Sequence, residues 1–327
     1  MGIDNFIEEL GKLEVLVVGD VMIDRYITGN INRISPEAPV PVLNFTKEEN
    51  RLGGAANVAL NLKALGAKVH LLSTVGDDKN GQLFIDLIEQ NGFSTAGIIQ
   101  SADRETTVKT RVIAANQHIL RVDREITSYL NDKDSSIFLE RGESIIQSNK
   151  IDVILFQDYN KGVLSQEVIN QLSSFAKKQN IKTSVDPKDK NFWSFKDVSL
   201  FKPNLSEIKA QLPFDIGYDI KDLDKADAFI RNKLNHNISL ITLSEHGVYV
   251  SDGKNSVICP TQARSIVDVC GAGDTVISIA SLSICKDIDL ENIGLLSNLA
   301  GGQVCEKVGV VPVNKDQLKT EFNLIKK

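Results

Sequence analysis

Short apolar runs rich in β-branched residues alternate along this sequence with longer stretches of helical periodicity. VLVVG (15–19) and KVHLLSTVG (68–76) are two such runs, and AANVALNLKALG (55–66) lies between them and ends at a glycine. Because strand–helix–strand order is typical of parallel sheets covered by helices on both faces, the sequence predicts an α/β fold. Further predicted elements are a helical stretch ending near Asn91 and Gly92, strands at 151–156, 181–186, 197–203 and 239–244, a helix over 165–179 and two helices after Gly271.

Two regions interrupt this alternation, and each contains two strand-like segments with no helix between them. The first pair is 26–34 with 40–48, and the second pair is 106–115 with 118–125. We interpret them as a small β-sheet lid, with strands from about 26–48 and 106–125, on a single domain over residues 1–327.

Composition and charge exclude several classes of protein. The net charge of −6 argues against a broad basic surface and therefore against nucleic acid as a partner. No apolar run approaches the length of a membrane span, and the first residues carry acids where a signal peptide carries bases. The four cysteines have no CxxC spacing and the four histidines no zinc-site spacing, so we expect a reduced, cytoplasmic protein without a zinc centre.

The segment DVCGAGDT (268–275) has the strongest chemical meaning, since an apolar helical run follows it. The small residues Gly271, Ala272 and Gly273 let main-chain N–H groups at a helix N-terminus approach an anion such as a phosphate. Asp274 falls beside this predicted anion hole, where a carboxylate can accept the proton of an attacking hydroxyl. The alternative is that Asp274 only caps the helix. The dinucleotide pattern GxGxxG is excluded, because it would need glycine at Val276.

A second glycine-rich element, GGAAN (53–57), opens the helix predicted over 55–66. Gly53 and Gly54 let the main chain approach a polyhydroxyl ligand, and the amide of Asn57 can both donate to and accept from sugar hydroxyls. Alternatively, the glycines only form a tight turn. Asp24 lies just after the first predicted strand, near the sheet edge where ligands of open α/β sheets bind.

GGAANVALNLKALG (53–66) followed by DVCGAGDT (268–275) resembles the two motifs of the PfkB sugar kinases, and the resemblance extends over residues 15 to about 313. It implies a ribokinase-like three-layer α/β/α fold with a mainly parallel central sheet and a β-sheet lid. By the same resemblance Asp274 is the catalytic base, residues 271–273 form the anion hole, and the sugar is held by Asp24, Gly53, Gly54 and Asn57. Cys270 departs from the family, in which many members carry Thr or Ser.

Other segments resemble one branch of the family, the kinases of D-glycero-β-D-manno-heptose 7-phosphate. They are GDVMIDRYITGNINRISPEAPVPV (19–42), FQDYNKGVL (156–164), DPK (186–188) and KPNLSE (202–207). The implied reaction transfers the γ-phosphoryl group of ATP to O1 and gives the 1,7-bisphosphate, for ADP-heptose and lipopolysaccharide core synthesis. We expect the adenylyl step to belong to a separate chain. Alternatives are another PfkB sugar or sugar-phosphate kinase, or a non-catalytic sugar or nucleotide sensor on this fold.

The same segments supply further candidate residues. Asp158 and Lys161 are candidates for binding the sugar, or they pair with each other. Asn204 and Glu207 lie one helical turn apart, which suits water-mediated contact of Glu207 with Mg²⁺ or a capping pair. The candidate ATP-binding residues are Lys188, Asn204, Glu207, Ser244 and Asn298. Whether a monovalent cation assists ATP and Mg²⁺ is left open.

A phosphorylated sugar requires a cation on the lid side of the site. The candidates are Arg33, Arg51, Lys109, Arg111 and Arg121. Because side chains alternate along a strand, only some of them can face inward, and the sequence does not choose among them. The strand edges of an open lid need covering, so we expect a homodimer that packs lid against lid.

Overall fold

The structure is a computed structural model that describes residues 3–115, 117–286 and 288–326. Its helices are α1 (Ile3–Leu10), α2 (Ala55–Ala64), α3 (Lys79–Gln90), α4 (Asp132–Ser148), α5 (Gln166–Lys178), α6 (Leu205–Gln211), α7 (Ile220–Leu234), α8 (Ala272–Ile284), α9 (Leu290–Cys305) and α10 (Lys315–Ile325). Its strands are β1 (Glu14–Gly19), β2 (Val21–Ile34), β3 (Pro41–Gly54), β4 (Lys68–Gly76), β5 (Ile98–Ser101), β6 (Val108–Ala114), β7 (Gln117–Arg124), β8 (Val153–Gln157), β9 (Lys182–Asp186), β10 (Leu200–Phe201), β11 (Ile238–Thr242), β12 (Val248–Ser251) and β13 (Ser256–Cys259).

The large sheet has nine strands in the order β13-β12-β11-β10-β9-β8-β1-β4-β5. Its pairs from β11 to β5 are parallel, and β12 and β13 add an antiparallel edge. The strand order reverses at β1, which has β4 on one side and β8 on the other. Ligands of open α/β sheets bind at the carboxyl ends of the strands next to such a reversal.

Helices cover both faces of this sheet. On β1, Val15 and Val17 belong to one buried apolar cluster and Leu16 and Val18 to another, as the alternation of side chains along a strand requires. The first cluster includes residues of α2, α8, α9 and α10, and the second includes residues of α4, α5 and α7. The predicted α/β/α arrangement is therefore confirmed.

The small sheet has the order β3-β2-β6-β7 and forms the predicted lid. β2 and β3 pair antiparallel over their full length with two irregularities of register, β2 and β6 are parallel, and β6 and β7 are antiparallel. Asn116, inside the predicted range 106–125, lies outside the described residues. The base of the lid is continuous with the main domain, because β3 runs directly into α2 at Gly54.

Several elements differ from the prediction. The strand expected over 197–203 is only Leu200–Phe201, because Asp197 has a positive φ of 58° and Pro203 lacks an N–H group. Three helices, not two, follow Gly271 in the part of the chain that is described. The short strands β5, β12 and β13 were not predicted. None of the described helices is both long and apolar enough to cross a bilayer.

Candidate active site

The turn at Gly271–Gly273 leads into α8 with its main chain open to solvent. Gly271 is the N-cap, with φ of 81°, and it is partly exposed, as is Ala272, while Gly273 is exposed. Across residues 3–115, 117–286 and 288–326, the N–H groups of Gly271 and Gly273 have no hydrogen-bond acceptor. The turn therefore presents main-chain donors and the positive end of a helix dipole to the space in front of it, as the anion-hole prediction requires.

Asp274 lies in the first turn of α8 and is almost completely buried, with 4% of its surface exposed. Asn57 Nδ2 donates to its Oδ2 at 2.7 Å, and Tyr159 Oη and Gln157 Nε2 donate to its Oδ1 at 2.7 and 3.3 Å. Burial raises the pKa of Asp274 to about 6, although the hydrogen bonds from Asn57 and Tyr159 oppose this shift. The carboxylate is thus ionised at neutral pH and is nevertheless a stronger base than an exposed aspartate.

Asn57 is itself fixed by a buried network on α2. Asn61 Nδ2 donates to the carbonyl oxygen of Asn57 at 3.0 Å, and Asn61 Oδ1 accepts from Thr275 Oγ1 and from the N–H of Val313, each at 3.0 Å. A side chain at Gly271 would place its Cβ 2.8 Å from Asn57 Nδ2. The glycine is therefore required both by its positive φ and by the close approach of the Asn57 amide.

A buried ion pair lies beside the exposed turn. Lys202 Nζ is 3.0 Å from Asp186 Oδ2, both side chains are at most 7% exposed, and Gln157 Nε2 also donates to Asp186 at 3.2 Å. A Cβ on Gly273 would lie 3.8 Å from Lys202 Nζ and 3.9 Å from Asp186 Oδ2. The turn thus has a positive and a negative side chain directly behind it.

Four of these residues, Gln157, Tyr159, Asp186 and Lys202, were missed by the sequence analysis as site residues. Each stands at or just after the carboxyl end of β8, β9 or β10. The sequence analysis applied the rule that ligands bind beyond strand ends only to Asp24. Applied to every strand, the same rule would have found these four residues.

On the predicted sugar side, Asp24 of β2 is buried and forms an ion pair with Arg111 of β6. A Cβ on Gly53 would lie 2.2 Å from Asp24 Oδ2, and a Cβ on Gly54, which has φ of 61°, would lie 2.4 Å from the carbonyl oxygen of Asp20. Packing within the chain therefore explains both glycines without a ligand. Their predicted contact with a sugar stays a prediction.

Asp158 and Lys161 do not pair with each other. Asp158 is fully buried and accepts from the N–H of Asn160 at 2.7 Å and from Asn191 Nδ2 at 3.0 Å. Burial and the nearby Asp20 raise the pKa of Asp158 to about 6. Lys161 Nζ instead lies 2.7 Å from Glu125 Oε2, at the end of the lid.

Asp20 organises the loop that carries these residues. Its carboxylate accepts from the N–H groups of Tyr159, Lys161 and Val163 at 2.9 to 3.0 Å. Three main-chain donors on one carboxylate hold the loop after β8 in a single shape. The position of Tyr159 next to Asp274 follows from this anchoring.

The predicted nucleotide-side residues lie at the ends of β9, β10 and β11 and on α9. Asn204 and Glu207 form a capping box at the start of α6, in which each side chain accepts from the other's N–H at 2.8 Å. Lys188 forms an ion pair with Glu207. Ser244 is exposed just after β11, and Asn298 Nδ2 donates to the carbonyl oxygens of Cys259 and Pro260 at 2.6 and 3.2 Å.

Within residues 3–115, 117–286 and 288–326, no three His, Cys, Asp or Glu side chains lie close enough together to hold a metal ion. Both oxygens of Glu207 already have partners, Asn204 N–H and Lys188. Each carboxylate oxygen keeps a second lone pair, so Glu207 fits contact with a hydrated Mg²⁺ through water.

Cys270, which precedes the turn, is not an activated thiol. Burial, with the carboxylate of Asp268 next to it, raises the pKa of Cys270 to about 11. The thiolate is the reactive form of cysteine, so the position at a helix N-terminus does not make this residue reactive here.

The fold is that of a carbohydrate kinase, and residues 12–317 match the model of the "pfkB family carbohydrate kinase". The chain belongs to this family and transfers a phosphoryl group to a hydroxyl. The structure resembles phosphofructokinase-2 from Escherichia coli, in a complex with potassium, with a TM-score of 0.78 at 18% identity over 96% of this chain and 99% of that one. It also resembles Arabidopsis thaliana ribokinase complexed with ribose and ATP, with a TM-score of 0.71 at 16% identity over 94% and 98% of the two chains.

Among more similar sequences are proteins named "Bifunctional protein HldE". The one from Helicobacter pylori strain J99 is 38% identical over 310 residues, or 95% of this chain. The one from Aliarcobacter butzleri is 38% identical over 307 residues, or 94% of this chain. The chain spans 66% and 64% of the length of these two relatives.

Proposed function

We propose that this protein phosphorylates D-glycero-β-D-manno-heptose 7-phosphate at O1 with ATP, giving the 1,7-bisphosphate and ADP. The observation that carries the proposal is the buried Asp274, with a pKa raised to about 6, beside the unpaired main-chain N–H groups of Gly271 and Gly273. The HldE relatives and the resemblance of residues 19–42 to heptose 7-phosphate kinases favour this acceptor over other sugars.

In the proposed mechanism, Asp274 accepts the proton of the O1 hydroxyl as the oxygen attacks the γ-phosphorus. The new O–P bond forms while the bond from the γ-phosphorus to the bridging oxygen breaks, and ADP leaves with the electron pair. Asn57 and Tyr159 already donate to the carboxylate, so they fix its orientation before the acceptor arrives. The N–H groups of Gly271 and Gly273 stabilise charge on the moving phosphoryl group.

The nucleotide in this proposal lies over the carboxyl ends of β9, β10 and β11, near Lys188, Asn204, Glu207, Ser244 and Asn298. Mg²⁺ neutralises charge on the triphosphate and contacts Glu207 through water. Burial lowers the pKa of Lys188, but the carboxylates of Asp186, Glu207 and Asp274 raise it by more, so the net pKa lies above its usual value. A lysine held charged in this way can contact a phosphate. A monovalent cation remains outside the proposal.

The sugar in this proposal lies under the lid, between Asp24, Asn57 and Asp274, with Gly53, Gly54, Asp158 and Lys161 around it. Closure of the lid excludes water and limits hydrolysis of ATP. Residues 1–327 act as one kinase domain with this lid.

The proposal includes a homodimer that packs through the lid. It also places the protein in the cytoplasm, where ATP is available. The outer strands of the lid carry exposed apolar side chains, with Phe45 63%, Leu120 58% and Val122 52% exposed. An apolar surface of this kind on a lid is typical of an interaction site.

The kinase site performs only the phosphorylation, so adenylyl transfer would need a second active site. That this second site lies on a separate chain stays a prediction.

The proposal is tested by measuring ADP release with a panel of acceptors. Heptose 7-phosphate should give the highest kcat/KM, ahead of fructose 6-phosphate, ribose and unphosphorylated heptose. A clear preference for an unphosphorylated sugar would reject the heptose phosphate assignment and leave another activity of the family. Phosphorus NMR of the product should show a new anomeric phosphate, which identifies O1 as the acceptor.

The base is tested with Asp274→Asn. The amide cannot accept the proton, so we expect kcat to fall by about 10²- to 10⁴-fold, the usual contribution of a general base. ATP binding, followed by calorimetry, should change little because the turn at 271–273 is kept. Near-normal turnover in the variant would remove Asp274 from this role.

A further inference from the structure

The lid presents one charged face to the active site. The register pairs Lys109 of β6 with Asp24 of β2, and Arg111 with Tyr26. Across the next pair of strands, Lys109 lies opposite Asp123 and Arg111 opposite Arg121. Residues two apart on a strand share a face, so Lys109 and Arg111 lie on the same side of the lid as the buried Asp24.

Most of the candidate cations of the lid already have partners. Arg111 pairs with Asp24, and Arg121 is 59% exposed and pairs with Asp123 at 3.0 Å. Arg51 pairs with Glu49 at 2.6 Å and donates to two carbonyl oxygens of the loop at 308–310. Arg33 is exposed near the far end of β2.

Lys109 differs from these arginines. It is partly buried, and its ammonium group has no carboxylate or carbonyl oxygen within hydrogen-bond distance among the residues that the structure describes. Its Nζ lies 5.9 Å from the centroid of the Tyr159 ring, and Tyr159 is hydrogen-bonded to Asp274. A half-buried ammonium group that makes no direct ion pair, next to the residue that orients the base, is suited to an anion that arrives with the substrate.

Lys161 supplies a second positive charge at the same place. Glu125, which pairs with Lys161, follows Asp123 by two residues, and Asp123 lies opposite Lys109 in the strand register. Burial lowers the pKa of Lys109, and the charge of Lys161 lowers it further. Glu125 is the ion-pair partner of Lys161, at 2.7 Å. Asp123, Glu125 and Asp24 offset part of the repulsion at Lys109. A dianionic phosphate between the two lysines would remove the remaining repulsion and replace the lost hydration of Lys109.

We propose that Lys109 and Lys161 bind the phosphate group that the acceptor sugar already carries, and that Lys109 thereby selects a phosphorylated over an unphosphorylated sugar. The inference rests on the proposed function, because it assumes a sugar phosphate as acceptor. It assigns Lys109 to the acceptor and not to the nucleotide, because Lys109 stands on the lid while Lys188, also 5.9 Å from the Tyr159 ring, stands at the end of β9.

The test compares Lys109→Met with the wild type on two acceptors, heptose 7-phosphate and unphosphorylated heptose. A charge-assisted hydrogen bond contributes roughly 1.5–3 kcal/mol, so KM for heptose 7-phosphate should rise about 10- to 150-fold. The kcat/KM for unphosphorylated heptose and the KM for ATP should stay within about twofold. Lys161→Met should also raise the KM for heptose 7-phosphate, and Lys109→Arg should recover most of the affinity.

Lys177→Met is the matched control, since Lys177 is 79% exposed on α5 and its removal changes the net charge equally. It should leave both acceptors unchanged. An equal loss on both acceptors in Lys109→Met, or a raised KM for ATP, would overturn the inference.

Calorimetric titration with inorganic phosphate separates this inference from the proposed function. The turn at 271–273 is the same in the wild type and in Lys109→Met, so any phosphate bound there contributes equally to both titrations. Weaker binding of phosphate to Lys109→Met therefore reports the lid site alone. If the wild type rejects heptose 7-phosphate but binds inorganic phosphate through Lys109, the lid site stands and the proposed acceptor fails. If phosphate binds both proteins equally, the lid site fails whatever the acceptor is.

Discussion

Tyr159→Phe removes one hydrogen bond from the proposed base and leaves the ring in place. Tyr159 Oη donates to Asp274 Oδ1 at 2.7 Å, and burial with the nearby carboxylates of Asp274 and Asp186 holds the pKa of Tyr159 well above its usual value. The phenol therefore stays protonated and stabilises the ionised form of Asp274. Its loss should raise the pKa of Asp274 above its present value of about 6, because one of the hydrogen bonds that oppose the effect of burial is removed.

The size of this effect follows from the energy of a hydrogen bond to a charged group. Such a bond contributes roughly 1.5–3 kcal/mol, which corresponds to about one to two pKa units. The pKa of the base would then lie at about 7 to 8 in the variant. At about pH 6.5 the ionised fraction, and with it kcat/KM, should fall roughly 3- to 25-fold, whereas at about pH 9 the two enzymes should nearly converge.

The assay is kcat/KM across pH for the wild type and the variant with one acceptor. Because phosphate monoesters themselves titrate near pH 6, the midpoint of a single profile mixes the titration of the substrate with that of the base. The quantity compared is therefore the difference between the two profiles. Tyr249→Phe is the control. The hydroxyl of Tyr249 donates to Asp224 at a distance of 2.8 Å, in a part of the molecule outside the active site, so its loss should leave the midpoint of the pH profile unchanged. A loss of activity in Tyr159→Phe that is the same at every pH would refute the argument.

Two further predictions concern stability and assembly. Lys202→Met should lower the free energy of unfolding by about 3–5 kcal/mol at neutral pH, because it leaves the carboxylate of Asp186 buried without its partner. Urea denaturation measures this change, and a loss below about 1 kcal/mol would contradict a buried, ionised pair. Phe45→Glu should shift the protein from dimer to monomer in sedimentation velocity, since it places a charge on the exposed apolar surface of the lid; a dimer that persists in this variant would argue against packing through Phe45.

The sequence predicted the fold better than it predicted the site. Strand–helix alternation and the two glycine motifs were enough for the main sheet and the lid, because apolar periodicity depends on residues close together in the chain. The contacts of Asp274 come from Asn57, Gln157 and Tyr159, which lie more than 100 residues away. Only the strand order of the folded sheet brings them together, so local pattern does not reveal them.

Local pattern also does not decide which charges neutralise each other. Asp158 and Lys161 lie three residues apart, yet Asp158 bonds to Asn191 and Lys161 pairs with Glu125 of the lid. Likewise, the capping box of Asn204 and Glu207 was an open alternative in the sequence, and the ion pair of Glu207 with Lys188 was not visible in it. Each of these outcomes depends on which strands end side by side.

The environment of Asp274 also explains why one carboxylate can serve as base at neutral pH. Burial alone would raise its pKa above the net value of about 6, and full hydration would leave it near 4 and make it a weaker base. Asn57 and Tyr159 oppose the effect of burial, and the resulting pKa of about 6 keeps the group ionised while retaining basicity. Because Asn57 is on the helix after the lid strand β3 and Tyr159 is on the loop fixed by Asp20, the strength of the base depends on both sides of the cleft being in place.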